Sequence, residues 1–131
     1  MRRVVLFCSV LIATVIVDQA TKIWASSRGL VVLNTGISFG VGNFSQNMVI
    51  VCLICLTVAA AVSWWRWASS SPRHVLAAGL FFAGALSNIL DRLLYGAVRD
   101  WLPLLIVKNN LADWAIFLGI LLLLWPRTIQ T

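Results

Sequence analysis

The sequence has no glutamate, four aspartates, one histidine and one tyrosine in 131 residues. Charged residues are only 11 % of the chain, against about 25 % in soluble domains. Hydrophobic residues reach 61 %, and the mean hydropathy is +0.96. A water-soluble chain this short cannot hide so much apolar side chain, so lipid must be the solvent for most of it. The single histidine, His74, lies far from the acids along the chain. Metal-centred or triad catalysis is therefore poorly served, and no metal or cofactor is expected. Cysteine is scarce as well: Cys8, Cys52 and Cys55 all lie inside apolar runs. The Cys52/Cys55 spacing can mean redox or metal work, but no second pair and no histidine lies near it. The net charge is +6 and the pI about 10.3, yet the basic residues are scattered at segment ends, with no run or stripe. Nucleic acid is set aside as a partner. No internal repeat and no low-complexity tract is present.

Four apolar segments remain, from about Val4 to Trp24, Met48 to Trp67, Val75 to Leu94 and Leu111 to Trp125. Each approaches the ~20 residues that carry a helix across ~30 Å of hydrocarbon, and the fourth is a little short. Lipid offers no partner to a bare backbone amide, so the spans must be helical. The expectation is one integral membrane domain over residues 1–131, an all-α membrane protein of four transmembrane helices. Arg2 and Arg3 before the first span resemble a secretory signal, but the apolar run outlasts a signal core, so an uncleaved first helix is expected. The alternating stretch Leu30 to Leu33 predicts a small β element between the first and second spans. Residues Trp101 to Val107 are apolar but too few to cross, which fits an interfacial or re-entrant piece. Trp24, Trp101 and Trp114 fall at one set of segment ends; Trp64, Trp65, Trp67 and Trp125 fall at the other, as two aromatic belts do. Arginine and lysine split evenly between the two sides, and the adjacent Arg2 and Arg3 favour both termini in the cytoplasm.

The four acids carry the information. Asp18 lies about 21 Å up the first span, Asp91 about 24 Å up the third, and Asp113 about 18 Å above the far end of the fourth. Asp100 lies in the connection on the same side, so all four reach one layer. A carboxylate at that depth costs at least ~2.5–3.5 kcal/mol on insertion scales. Ion pairing is one reason to keep them. Asp18 and Lys22 share a helix face at i,i+4, and Asp91 with Arg92, or Asp100 with Arg99, could pair. Asp113 has no cation beside it in sequence. Two close carboxylates away from water share one proton and titrate as a unit. One can then take a proton from water while the other donates to a peptide carbonyl. That is aspartic-protease chemistry. A proton or ion carrier would also place carboxylates in a membrane, but along a path at several depths.

Read in order, Asp18-Gln-Ala-Thr-Lys22, then Asn34-Thr-Gly36-Ile-Ser-Phe39-Gly40, Gly84 to Arg92 with Asn88 and Asp91, Val98-Arg-Asp100-Trp101, and Asn110-Leu-Ala112-Asp113 resemble the ordered motifs of lipoprotein signal peptidase (signal peptidase II). The likeness runs from about residue 15 to residue 120. It implies an enzyme that cuts the signal peptide from bacterial prolipoproteins just before a diacylglyceryl-modified cysteine, in the cytoplasmic (inner) membrane, with its site toward the extracytoplasmic side. It implies Asp100 and Asp113 as the catalytic pair. Asn34, Gly36, Asn88, Asp91, Arg92, Asn110 and Ala112 correspond to motif residues around them, and Asp18 and Lys22 to the first-span motif. The partners so implied are the lipidated substrates and membrane lipids, with the protein expected as a monomer. The sequence departs from the family in a short connection between the third and fourth spans. It carries Val107-Lys108-Asn109 where a Pro and a Phe are usual, and Trp114 where a small Ser follows the second aspartate. A non-catalytic relative that binds lipidated peptides would keep the cleft without needing both aspartates.

Overall fold

A computed structural model describes residues 2–35 and 71–125, together with four helical positions between them, Ile54, Thr57, Val58 and Ala61. Its elements are α1 (Arg2–Ser27), β1 (Val32–Asn34), α2 (Pro72–Tyr95), β2 (Val98–Asp100), β3 (Leu102–Leu104), β4 (Val107–Asn109) and α3 (Leu111–Leu124). Most of the second expected span, Met48 to Trp67, lies outside the described residues, as do Gly36, Cys52, Cys55, Trp64, Trp65 and Trp67.

Helices α1 and α2 are long and apolar enough to cross a membrane. Their 26 and 24 residues rise about 39 and 36 Å. Helix α3 is shorter, with 14 residues. Val4, Val5, Ile12, Ile16, Val17 and Ile23 of α1 are more than half exposed. Such a continuous apolar face is untenable in water and ordinary in lipid. Helix α2 is the central element and packs against both α1 and α3. Ser71 caps its start, accepting from the His74 amide, and Pro72 occupies the first turn, where a missing N–H costs nothing. Gly96 ends it at φ 70°, with its N–H bonded to Arg92 O; a side chain would be strained in that left-handed turn.

Close approach of α2 and α3 depends on Gly84. A Cβ there would overlap Ala112 O and come within 2.8 Å of Ile116 Cγ1. One helix over-packed against the other by a methyl costs about 1–3 kcal/mol. Gly84→Ala should accordingly lower the thermal midpoint measured in detergent, and an unchanged midpoint would mean that α3 slides freely along α2.

Strand β1 follows α1, and its partner is β2, far along the chain. Antiparallel pairing sets Val32 opposite Asp100, Leu33 opposite Arg99 and Asn34 opposite Val98. The apolar stretch after Trp101 folds back as the β3–β4 hairpin, with Leu102 opposite Asn109. Leu105 and Ile106 form its tip, both 98 % exposed. Trp24 and Trp101 meet edge to face at 5.8 Å, and Arg28 lies over the Trp24 ring. The four acids, the strands and this aromatic pair all gather at the same end of the helices.

Candidate active site

All four aspartates enter one hydrogen-bonded network. Lys22, buried on α1, lies 2.7 Å from Asp18 Oδ2 and 3.2 Å from Asp91 Oδ2, with every one of these side chains fully buried. Its ammonium also donates to Asn88 Oδ1 at 3.1 Å. Asn88 Nδ2 then donates to Asp113 Oδ1 at 2.8 Å. A cation on the first helix thereby fixes, through one amide, the carboxyl on the last.

The start of α3 carries the second half of the site. Asn110 is its N-cap: Oδ1 accepts from the Asp113 amide at 3.0 Å, satisfying one of the donors that every helix start leaves open. The same side chain turns Nδ2 to Asp100 Oδ1 at 2.6 Å. A second helix-start amide, that of Ala112, donates to Asp18 Oδ1 at 2.8 Å, where the helix dipole favours a carboxylate. Ala112 is fully buried beneath Gly84, so only a small side chain fits. Ser87 Oγ completes the Asp18 environment at 2.6 Å.

Asp100 ends β2. Asn34, on the strand paired with it, donates from Nδ2 to Asp100 Oδ2 at 2.9 Å. Burial pushes the Asp100 carboxyl above its ordinary value, while the Asn34 and Asn110 donors and the charges of Lys22 and Arg92 pull it down. Losing a donor to the charged form raises a carboxyl further. Asn34→Ala should then raise the pH at which Asp100 takes up its proton, and shift any activity that needs Asp100 ionised to higher pH. A pH–rate profile that superimposes on that of the unaltered protein would detach Asn34 from the chemistry.

Two of the sequence pairings need correction. Asp91 forms its ion pairs with Lys22 and with Arg99, whose Nη2 lies 2.7 Å from Asp91 Oδ1. Consecutive helical residues do not face each other, so Arg92 turns elsewhere: its charge acts on Asp100 and Asp113 ahead of Asp91. Consecutive strand residues point to opposite faces, so Arg99 turns away from Asp100 and takes Asp91, while Asp100 faces the amides. The Asp18–Lys22 pair forms as expected.

The structure thus brings together Asp18, Lys22, Asn34, Asn88, Asp91, Arg92, Asp100, Asn110, Ala112 and Asp113 at one end of the helices; Gly36 is outside the described residues. Sequence reading singled out neither Gln19 nor Ser87, and gave Arg99 to Asp100. Gln19 Nε2 donates to Ser87 Oγ at 2.8 Å and to Asp91 Oδ1 at 3.0 Å, and its Oε1 accepts from Arg99 Nη2 at 2.6 Å. The signal for them was present, since polar side chains inside apolar spans are expensive and mark a site.

Two cavities open on Asp100. One, of about 260 Å³, is lined by Asp100 and Asp113 on one side and by Ile116, Phe117 and Ile120 along α3. The other, of about 450 Å³, runs beside β1 from Val32 to Thr35. Trp114 borders neither cavity; it meets Phe117 edge to face at 6.0 Å. With the Asn109 amide oriented to satisfy both its neighbours, the Trp114 indole N–H donates to it at 3.3 Å. The bulk beside the second aspartate therefore does not fill the cleft. Among the described residues no cluster of metal-ligating side chains occurs.

The chain is similar to the lipoprotein signal peptidase of Syntrophomonas wolfei, 33 % identical over 130 residues covering 84 % of each chain. It is also similar to that of Nitrobacter hamburgensis, 31 % identical over 147 residues covering 92 % of this chain and 90 % of the other. Among solved structures, a bacterial membrane enzyme determined by the in meso method superimposes with a TM-score of 0.77 at 22 % identity, over 95 % of this chain and 94 % of that one, which establishes the shared fold. A family model described as signal peptidase (SPase) II matches residues 10–128, and the chain belongs to that family.

Proposed function

We propose that this protein is an intramembrane aspartic endopeptidase that removes the signal peptide from bacterial prolipoproteins, cutting just before the diacylglyceryl-modified cysteine. Signal peptidase II activity follows from the family; the aspartic chemistry and its residues are our reading. One observation carries it. Asn110 binds the Asp100 carboxyl and the Asp113 amide at once, while both carboxyls border one cavity with an apolar wall.

Asp100 and Asp113 share one proton, as close carboxyls do away from water. Asp100, held by two amide donors, is the ionised member and takes a proton from the attacking water. Asp113, in its protonated form, donates to the carbonyl oxygen of the scissile bond. Water adds to the carbonyl carbon, the C–N bond breaks, and the water's proton leaves with the cysteine amine. The apolar wall of Ile116, Phe117 and Ile120 suits acyl chains, and the groove beside β1 suits an extended peptide. Asp18, Lys22, Asp91, Arg92 and Asn88 position the pair without touching the reacting atoms.

The reading includes one domain over residues 1–131 with four transmembrane helices in the cytoplasmic (inner) membrane. Both termini face the cytoplasm, the site lies toward the outer side among membrane lipids, and the protein acts as a monomer. The carrier alternative expects acids at several depths; here all four share one network. The test is cleavage of a diacylglyceryl-modified prolipoprotein peptide in detergent micelles, with the cut mapped by mass spectrometry. A cut directly before the lipidated cysteine, absent from the unmodified peptide, is expected. Binding without any cut would make the protein a lipopeptide binder instead.

A further inference from the structure

The two cavities at Asp100 share one other residue, Lys108. Among the described residues that line them, Lys108 is the only cation and Asp100 and Asp113 are the only acids. Lys108 sits on β4, two residues before Asn110, and is half-buried. Its Nζ donates to Leu30 O at 2.6 Å. That bond ties the β3–β4 hairpin to the turn after α1 and uses one of the three donors of an ammonium. Two donors remain on a residue that lines both cavities. Lys22 and Arg92, the other cations near the pair, are buried behind it and border neither cavity.

We infer that Lys108 is a specificity-determining residue, selecting substrates that carry an acidic side chain directly after the lipidated cysteine. The inference rests on the peptidase reading above. An anion on the signal-peptide side would have to enter the membrane, at a cost of several kcal/mol, so the charge this lysine meets belongs to the mature side, which leaves toward water. An acidic residue there would otherwise face only the negative charge of the aspartate pair. Lys108 offsets that repulsion and adds an attraction of its own.

An exposed or half-exposed ion pair contributes up to about 1 kcal/mol, close to a fivefold effect. The experiment compares three diacylglyceryl-modified peptides that differ only in the residue after the cysteine: Asp, Asn or Lys. Both kcat/KM and the binding constant are measured for the unaltered protein, Lys108→Gln, Lys108→Arg and Lys108→Glu. The readout is the ratio between peptides within each variant, so any general loss from releasing the Leu30 bond cancels. The Asp peptide should be favoured over the Asn peptide by about threefold to fivefold, and over the Lys peptide by more. Lys108→Arg should keep the order, Lys108→Gln abolish it, and Lys108→Glu reverse it. Cleavage with the same Asp-to-Asn ratio in Lys108→Gln would overturn the assignment and leave the peptidase intact. Binding with a charge order that Lys108→Gln removes, but without cleavage of any peptide, would overturn the peptidase reading and leave Lys108 as the selector.

Discussion

Asp100→Asn and Asp113→Asn should each reduce cleavage of a lipidated peptide by about 10³-fold or more, since each removes one half of a proton-sharing unit. The two should differ in stability. Asp113 accepts a single side-chain donor, from Asn88, and an amide in its place still offers an oxygen. Asp100 accepts from Asn34 on one oxygen and from Asn110 on the other. An amide there must turn its NH₂ toward one of those donors. Asn110 cannot rotate to relieve the clash, because its own oxygen caps α3 through the Asp113 amide. A buried donor left without an acceptor costs about 1–3 kcal/mol. Thermal unfolding in detergent should show Asp100→Asn as the less stable of two inactive, folded variants. Substantial turnover by either one would remove it from the catalytic pair.

The second large effect concerns Lys22, which touches no substrate. Lys22→Met leaves Asp18 and Asp91 fully buried without their shared cation. Breaking a buried pair from one side costs about 3–5 kcal/mol. Asp91 retains Arg99, so most of the penalty falls on Asp18, which among the described residues keeps Ser87 and the Ala112 amide. Adding Asp18→Asn should recover part of the loss, because its oxygen can still accept from Ala112 once the stranded charge is gone. Activity should fall as well, through Asn88, whose oxygen loses the ammonium that orients it toward Asp113. A Lys22→Met protein as stable as the unaltered one would show that water reaches this cluster.

Much of this was readable without coordinates. Depth along an apolar span is nearly fixed by residue count, because a helix rises a constant amount per residue and the bilayer sets where it must start and stop. That is why the shared layer of Asp18, Asp91, Asp100 and Asp113 could be read from their positions alone. The i,i+4 pair of Asp18 and Lys22 was legible for the same reason, as both partners lie on one helix.

Pairings between elements were not legible. Asp91 takes Arg99 and Lys22 in place of Arg92, since which side chains meet across elements depends on helix rotation and on the alternation of a strand. The β1–β2 ladder joins residues 32–34 to 98–100, a contact across half of the chain that no local pattern encodes. Asn110 reads in sequence as a helix cap; only the tertiary fold decides that its other end reaches Asp100. Lys108 reads as a loop charge, and becomes a residue of the cleft only because the hairpin folds back over both cavities. Composition and motif order already pointed to lipid as the solvent, to one shared level for the acids and to the family. Tertiary packing decided which donor holds which carboxyl, because each hydrogen bond needs its partner within about 3 Å, and that distance is set by helices that meet through Gly84 and Ala112.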